Sequence, residues 1–387
     1  MRILGISAVF PPAWHYGGPP LTAHSLLKAL KRQGHTVFAI TTGDSERDGS
    51  PVLDHETEYD TVPVIYCSRG PQIIPFYSPR LKHEVAKRIS AFDIAIIRSS
   101  WTYVGPAASA ECRRRHVPYL AYPEGTFDTW PLRQKRLKKF VFWHFFDHGY
   151  FSNASAIVAL TKSEAESIRQ MGLRNRLEII PNGIEVSDYA EGESRDALER
   201  RFPKLIGRLW VLFIGRIHPK KGLAQLVLAF AQVIQHYHEA LLVIAGPDER
   251  EHRREIEVLV QQHGLSNHVL FTGPVLGKEK VGFLQNADIF VLPSHSEGFP
   301  MAVLEALACG VPVVLTKGCH VPEVAEAGAG IEVDIDPCQI AIAISSLLSD
   351  DTARRQMGRN GRKLVCERFT WERVARETAA LCEELCH

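Results

Sequence analysis

The stretch Ile289-Phe-Val-Leu-Pro293, continued by Ser294-His-Ser-Glu-Gly-Phe-Pro300 and Met301-Ala-Val-Leu-Glu-Ala306, predicts a strand, a polar loop and a helix in succession. Pro300 fits the first turn of that helix, where the N–H that proline lacks would have no partner. The free amides of a helix start attract anions. Glu297 and Glu305, with seven residues between them, add carboxylates that can accept hydrogen bonds from hydroxyls. Together these features suit a ligand that carries both phosphate and hydroxyl groups, such as a nucleotide sugar.

The same alternation of strand and helix extends along the whole chain. Apolar runs occur at 3–9, 37–41, 62–66, 93–97, 117–121 and 156–160, and again at 209–214, 241–245, 268–271, 288–292, 311–315 and 330–333. Continuous apolar runs indicate strands buried on both faces, as in parallel sheets covered by helices. The polar stretch 185–206 has few large apolar residues and is interpreted as a linker. We therefore expect an α/β fold of two doubly wound, Rossmann-like parallel-sheet domains that face each other across a cleft.

Composition excludes several classes of protein. The formal net charge of +1 on 387 residues offers no field that would attract nucleic acid, so no nucleic-acid partner is expected. The eight cysteines form no CxxC pair, which favours reduced thiols over a zinc ribbon. The apolar N-terminus ends at Pro11-Pro12 without a cleavage site, and no apolar run approaches the ~20 residues that span a bilayer. A cytoplasmic location is predicted, with association at the inner face of the membrane left open.

A basic loop, Gly215-Arg-Ile-His-Pro-Lys-Lys-Gly222, follows the run 209–214. It places Arg216 and Lys221 at the carboxyl end of a strand, where open α/β sheets bind ligands. A diphosphate needs such cations, and arginine can bind it through two parallel hydrogen bonds. The residues alone favour this diphosphate site and a basic loop that is simply exposed to solvent equally.

Four further motifs have a structural explanation that we favour over a functional one. Tyr16-Gly-Gly-Pro-Pro20 lacks the GxGxxG spacing, so it is a turn before a helix or a phosphate loop of another kind. Asp334-Ile-Asp336 is interpreted as a surface turn, and the pair His144 and His148 as packing or surface residues. The basic and aromatic stretch 135–146 is interpreted as an amphipathic helix on the core, with peripheral membrane contact as the alternative.

Taken together, these motifs resemble the retaining, nucleotide-sugar-dependent glycosyltransferases of family 4, which have the GT-B fold. The resemblance rests on Gly215-Arg216 with Lys221-Gly222, on Glu297 and Glu305 as an E-x7-E pair, on Gly17-Gly18, Pro181-Asn-Gly-Ile184 and Val321-Pro-Glu-Val324, and on Phe369-Thr-Trp371. It implies an acceptor-side domain over 1–185 and a nucleotide-sugar-binding domain over 186–368. It also implies a C-terminal helix, 369–387, that packs back on the first domain.

The resemblance assigns roles to the matching residues. Arg216 and Lys221 would neutralise the donor diphosphate, a task that metal ions perform in other transferases, so neither a metal nor a cofactor is expected. Glu297 would contact the donor sugar or its leaving phosphate, and Glu305 would accept the ribose hydroxyls. Gly18, in the Gly17-Gly18 loop, would close on the diphosphate, and the loop after Phe271 would meet the nucleotide base. Amides near Phe299–Ala302 would hold the distal phosphate and the donor sugar. The other donor-binding positions would thus be Gly17, Gly18, Thr272, Gly273, Pro274, Gly298, Phe299, Pro300, Met301 and Ala302.

Glu124 marks a departure from the family pattern. It stands in Pro118-Tyr-Leu-Ala-Tyr-Pro-Glu-Gly125, where many family members carry a histidine that binds a hydroxyl of the donor sugar. Glu124 either takes over this catalytic-site role or is a structural loop residue. The acceptor would bind near it, and the acceptor-side candidates are His15, Arg98, Trp101 and Arg133.

The function that the resemblance implies is transfer of a hexose, with retention, to a saccharide or lipid-linked acceptor in polysaccharide or glycoconjugate biosynthesis. The nucleoside-diphosphate sugar would be a co-substrate, with UDP-glucose as the first expectation and GDP-mannose as the second. A sugar-nucleotide epimerase, a phosphorylase or a hydrolase-like enzyme of the same fold is one alternative. A non-catalytic nucleotide-sugar-binding partner of another transferase is the other, although a chain without activity has no need of the full set Arg216, Lys221, Glu297 and Glu305.

Overall fold

The computed structural model of the chain describes residues 1–43, 51–127, 140–249 and 251–386. Two compact units emerge: Met1–Gly183 together with Trp371–His387, and Ile184–Thr370. The chain therefore passes from the first unit to the second after Gly183 and returns after Thr370. The sequence placed these two boundaries after residues 185 and 368.

The first unit is built on an eight-stranded sheet in the order β3-β4-β2-β1-β5-β6-β7-β8. Its strands are β1 (Arg2–Ser7), β2 (Thr36–Thr42), β3 (Glu56–Tyr59), β4 (Val62–Cys67), β5 (Ile94–Arg98), β6 (Tyr119–Tyr122), β7 (Ala156–Ala159) and β8 (Leu177–Ile179). Every neighbouring pair is parallel except β3 with β4. The central strands are buried along almost their whole length, which explains why they appear in the sequence as uninterrupted apolar runs.

The first sheet is parallel except for one strand pair at its edge. Glu56–Tyr59 pairs antiparallel with β4 through a tight turn at Asp60 and Thr61, which both have positive φ. An edge strand has one unpaired side and here is mostly solvent-exposed, so its residues are polar and leave no apolar run to detect. The strand β8, at the other edge, was missed because its three residues, Leu177-Glu-Ile179, are too few to form a continuous apolar run.

Helices flank this sheet, and one of them comes from the end of the chain. The helices of the first unit are Gly18–Arg32, Pro79–Arg88, Val104–Arg114, His148–Ser152, Lys162–Gln170 and Trp371–Cys386, with a π-helical turn at Trp143–Asp147. The Trp371–Cys386 helix packs against Gly18–Arg32, and Gln33 Nε2 donates to the carbonyl of Glu372 at 2.7 Å. Across the described ranges we find no helix whose length and apolar content would let it cross a bilayer.

The second unit has a six-stranded, fully parallel sheet in the order β11-β10-β9-β12-β13-β14. Its strands are β9 (Leu209–Ile214), β10 (Ala240–Ala245), β11 (Val269–Gly273), β12 (Ile289–Leu292), β13 (Val313–Thr316) and β14 (Gly330–Val333). Its helices are Arg195–Arg201, Leu223–Val233, His252–Gln262, Gly277–Asn286, Met301–Ala308, Glu323–Glu326, Pro337–Ser349 and Asp351–Arg368. Strand order reverses between β9 and β12, and the carboxyl ends of strands at such a switch point are where α/β sheets bind ligands.

The interpretation of 185–206 as a linker is wrong. This stretch forms the helix Arg195–Arg201 and two 3₁₀ turns, Val186–Tyr189 and Pro203–Leu205. Leu198 and Leu205 are fully buried in the core of the second unit. Val186, Tyr189 and Phe202 also pack against this core while partly buried, and the charged residues of the stretch are at least partly exposed. The composition of the stretch therefore resembled that of a linker.

Candidate functional site

The two loops at the switch point are held in close contact. His295 N donates to the carbonyl of Lys220 at 2.9 Å, which joins the loop after β12 to the loop after β9. Gly222 has a φ of +66°, and a Cβ at this position would lie 2.0 Å from the carbonyl oxygen of Pro293. Only glycine satisfies both conditions, so this residue fixes the distance between the loops that carry Lys221 and Glu297.

Lys221 and Glu297 form the central ion pair of the site. Lys221 Nζ lies 2.6 Å from Glu297 Oε1, and the hydroxyl of Ser294 donates to the same oxygen. The backbone N–H of Glu297 donates to the carbonyl of Gly318 at 2.7 Å. Burial raises the pKa of the Glu297 carboxyl, but the charges of Lys221 and Lys220 outweigh burial and hold the pKa below its ordinary value. Glu297 is therefore an ionised carboxylate at neutral pH.

The helix that follows begins at Met301, one residue later than the sequence indicated. Pro300 is its N-cap residue and lies outside the first turn, with φ −85° and ψ 81°. Met301 N donates to the carbonyl of Phe299 at 3.1 Å, and Val303 N donates to that of Pro300 at 2.9 Å. Pro300 has no amide hydrogen, and the amides of Met301 and Val303 already donate within the chain. The amides of Phe299 and Ala302 are therefore the better candidates for a phosphate over this stretch.

Glu305 lies in the second turn of the same helix and is buried. Its Oε1 accepts from the hydroxyl of Tyr189 at 3.0 Å, and Lys280 Nζ lies 2.6 Å from both Oε1 and Oε2. Burial and the neighbouring Glu305 raise the pKa of Tyr189, so its hydroxyl remains protonated as a donor. The sequence pointed to Glu305 but gave no signal for Tyr189 or Lys280, which reach it from separate elements.

Arg216 has a partner of its own at the carboxyl end of β9. Its Nη1 lies 2.7 Å from Glu249 Oε2, and its side chain is 48% exposed. Because the pair is half-exposed, solvent weakens the attraction between the two charges. A diphosphate could therefore displace Glu249 at little energetic cost. Glu249 was not expected from the sequence, since it follows a different strand.

The residues expected to meet the nucleotide base lie at the end of β11. Thr272 and Gly273 belong to the strand itself, and only Pro274, which is exposed, lies in the loop where the sequence placed all three. Gly273 has a φ of +79°, and its carbonyl accepts from Gly246 N at 2.8 Å. This hydrogen bond extends the pairing of β10 and β11 to the last residue of the strand.

In the first unit, the glycines expected to contact phosphate lie at the start of a helix. Gly17, with φ 82° and ψ −133°, is the N-cap residue of Gly18–Arg32, and Pro19 and Pro20 occupy its first turn. His15, just before them, is exposed, and its ring lies 4.1 Å from that of Tyr16.

Arg98 and Glu124 form a second ion pair within the first unit. Arg98 is buried, and its Nε and Nη2 donate to Glu124 Oε1 at 2.9 and 2.6 Å. Its Nη2 also donates to Asn182 Oδ1 at 3.0 Å, and its guanidinium lies over the ring of Tyr122. Glu124 has a φ of +56°. The guanidinium thus orients a carboxylate whose backbone adopts a conformation that is uncommon outside glycine.

Trp101, the third acceptor-side candidate, is part of an aromatic cluster. Its ring packs edge-on against Phe127 and is tilted against Trp143. Its backbone N–H donates to the buried Asp147 Oδ2 at 2.8 Å. The fourth candidate, Arg133, and residues 135–139 of the basic stretch lie outside the described residues.

The motifs considered for metal binding have other roles. Asp334 pairs with Lys317 at 2.8 Å, and Asp336 caps the helix Pro337–Ser349 by accepting from Gln339 N at 3.0 Å. His144 Nδ1 lies 2.9 Å from the carbonyl of Phe140, and the His148 ring packs against Trp143. In the part of the chain that the structure describes, no three His, Cys, Asp or Glu side chains cluster in a way that could hold a metal ion.

Comparison with known proteins gives matches to two families and to several relatives. Residues 16–188 match Glycosyltransferase Family 4, and residues 195–364 match Glycosyl transferases group 1. An uncharacterised glycosyltransferase of Methanocaldococcus jannaschii is 30% identical over 98% of this chain and 97% of its own length. The D-inositol 3-phosphate glycosyltransferase of Xylanimonas cellulosilytica is 32% identical, over 57% of this chain. That match spans about half of the relative, 55% of its length.

Solved structures share the fold at low sequence identity. Sucrose-phosphate synthase from Thermosynechococcus elongatus superimposes with a TM-score of 0.77 at 20% identity, over 100% of this chain and 99% of that one. Anabaena HepE in complex with UDP and glucose has a TM-score of 0.77 at 17% identity, over 99% of this chain and 100% of that one. These matches and the two parallel-stranded sheets confirm the GT-B fold, and the chain belongs to the group 1 glycosyl transferases of family 4.

Proposed function

We propose that this protein transfers a sugar from a nucleoside diphosphate to a hydroxyl-bearing acceptor. The observation that carries the proposal is the arrangement of Glu297 and Glu305 around the start of the Met301–Ala308 helix, with a lysine paired to each. Each carboxylate is thereby paired and oriented, as hydroxyl recognition requires. Lys221 and Arg216, on the loop beside them, supply the positive charge that a diphosphate needs.

The diphosphate is the group that the second unit stabilises. The amides of Phe299 and Ala302 donate to the distal phosphate at the helix start. Lys221 reaches the phosphates from its contact with Glu297, and Arg216 turns from Glu249 to bind them through two hydrogen bonds. As the bond between C1 of the sugar and the diphosphate oxygen breaks, negative charge grows on that oxygen, and these groups stabilise it electrostatically.

The acceptor hydroxyl forms the new bond to C1, and its proton passes to the departing phosphate oxygen. Attack on the face that the diphosphate leaves retains the configuration at C1, as expected from the family resemblance. Because Arg216 and Lys221 provide the positive charge, the reaction needs no metal ion. Transfer that persists after treatment with EDTA supports this part of the proposal, and loss that Mg²⁺ or Mn²⁺ restores contradicts it.

The transferred sugar is a hexose, with UDP-glucose as the first donor to test and GDP-mannose as the second. UDP and glucose in Anabaena HepE favour the first choice only by analogy of fold. The acceptors to test are a saccharide, a lipid-linked saccharide and, because several relatives are D-inositol 3-phosphate glycosyltransferases, an inositol phosphate.

A peripheral membrane contact would bring a lipid-linked acceptor within reach. Phe140 and Phe145, at the end of the basic and aromatic stretch, are 61% and 77% exposed. Apolar side chains beside basic residues favour an anionic membrane surface. Co-sedimentation with anionic but not neutral vesicles supports this contact. Loss of co-sedimentation in Phe145→Ser would show that Phe145 takes part in it.

The decisive experiment measures release of nucleoside diphosphate from the donor by Lys221→Ala and Glu305→Ala. Both variants are expected to lose most of the activity, since each removes a partner of the donor. Lys363→Ala is the matched control, because Lys363 is 74% exposed on another helix of the same unit. Undiminished release in both site variants would overturn the proposal. Formation of rearranged or free sugar without an acceptor would point to an epimerase or a hydrolase. Binding of the donor without turnover would point to a non-catalytic partner of another transferase.

A further inference from the structure

Two elements of the second unit reach the Glu305 carboxylate, which lies on a third element, the helix Met301–Ala308. Tyr189 reaches Oε1 from a 3₁₀ turn at 3.0 Å, and Lys280 reaches both oxygens from the helix Gly277–Asn286 at 2.6 Å. Glu305 is itself buried, whereas the Lys280 side chain retains 25% exposure. Lys280 therefore lies between the buried carboxylate and solvent.

The number of hydrogen bonds that these groups can form limits how many ligand hydroxyls Glu305 can bind. A carboxylate has about four acceptor positions, and an ammonium has three donors. Tyr189 and Lys280 together occupy three positions on Glu305, which leaves room for one incoming hydroxyl. Lys280 uses two donors on Glu305 and keeps a third. A single hydroxyl can then donate to Glu305 and accept from Lys280 at the same time.

We propose that Lys280 is a specificity-determining residue that, with Glu305, recognises a ribose hydroxyl of the nucleotide donor. This inference rests on the proposed function and assigns a residue that the motifs of the chain do not mark. Glu305 supplies the acceptor for the hydroxyl proton and Lys280 the donor to the hydroxyl oxygen. A nucleotide that lacks this hydroxyl loses both bonds and leaves the pair without its ligand. Tyr189 acts through Glu305 as a positioning residue.

The test compares dissociation constants for UDP, GDP and their 2′-deoxy and 3′-deoxy analogues by calorimetry. Hydrogen bonds to charged groups predict that wild type binds the ribonucleotide about 10- to 100-fold more tightly than the analogue lacking the bridging hydroxyl. Lys280→Met is expected to reduce this ratio about tenfold. A purely structural role for Lys280 would weaken binding of all nucleotides together and leave the ratio unchanged.

Lys278→Met serves as the matched control, since Lys278 lies on the same helix but is 74% exposed and pairs with Glu191. It should keep the wild-type ratio. Equal affinity of the wild type for ribonucleotides and for both deoxy analogues would overturn the inference without any variant. The inference would also be overturned if Lys280→Met kept the wild-type ratio of the two dissociation constants. Either outcome leaves the proposed function intact. Failure of wild type to bind both UDP and GDP would instead overturn the proposed function.

Discussion

A Cβ atom on Gly222 would lie 2.0 Å from the carbonyl oxygen of Pro293. The first residue ends the loop that carries Arg216 and Lys221, and the second begins the loop that carries Glu297. The contact therefore sets how closely the lysine and the carboxylate of the site approach each other. Backbone atoms on both sides leave no flexible side chain that could move aside.

Gly222→Ala is expected to destabilise the protein and to weaken nucleotide binding. The left-handed conformation alone costs a residue with a Cβ about 1–2 kcal/mol, and the clash with Pro293 adds to this cost. Gly207→Ala is the control, because Gly207 has a φ of +69° but nothing within 4 Å of the added Cβ. Urea denaturation of the two variants separates the backbone cost from the clash. Equal stability of both would contradict the importance of the loop contact.

Glu249→Gln is expected to strengthen binding of a nucleoside diphosphate. It removes the carboxylate that competes with phosphate for Arg216, and a half-exposed ion pair contributes up to about 1 kcal/mol, or about fivefold in affinity. Glu257→Gln, which breaks a comparable pair with Arg253, should leave affinity unchanged. Weaker binding by Glu249→Gln alone would mean that Glu249 orients Arg216 for the ligand.

Asp147 makes the stability of the first unit depend on pH. The carboxyl is fully buried, and burial raises its pKa from 3.8 to about 7, against the hydrogen bond from Trp101 N. The folded state thus keeps a proton that the unfolded state releases, so stability falls as pH rises from about 4 to about 7. This gap corresponds to about 4 kcal/mol.

Asp147→Asn should remove this dependence, because the amide oxygen can still accept from Trp101 and carries no charge to desolvate. Chemical denaturation at pH 4.5 and pH 8 measures the effect. The variant should gain stability relative to wild type as pH rises. A constant difference between the two proteins would show that Asp147 has an ordinary pKa.

Leu198→Ala is expected to cost about 2–5 kcal/mol, the usual range for a leucine truncated in a packed core. Leu198 is fully buried within the stretch that resembled a linker. Leu276→Ala, at a residue that is 73% exposed, is the control and should change the free energy of unfolding little. Equal stability of both variants would restore the interpretation of this stretch as a linker.

The sequence revealed those parts of the molecule that depend on local pattern. Continuous apolar runs located the buried strands, and β9 and β14 were predicted to the residue. The strand β3 was not predicted, because its sequence, Glu56-Thr-Glu-Tyr59, is polar and exposed at the edge of the sheet. The prediction for 185–206 failed because two buried leucines among many charges do not form a periodic pattern.

The candidate site divides in the same way. Glu297, Glu305, Arg216 and Lys221 stand in motifs whose spacing is visible along the chain. The partners of Glu305 do not stand in such motifs, because Lys280 and Tyr189 are brought to it only by the packing of separate elements. Glu124 had two open interpretations. The structure adds its ion pair with Arg98, which lies 26 positions earlier and belongs to another strand end.

The return of the chain at Trp371 has a consequence for the order in which the protein matures on the ribosome. The helix Trp371–Cys386 packs on Gly18–Arg32, so the first unit lacks one of its helices until the residues that follow the second unit are synthesised. The second unit, Ile184–Thr370, is by then already complete. Domains usually fold in the order of synthesis. Here the half that begins first must wait, with part of its apolar surface uncovered, for the half that begins second.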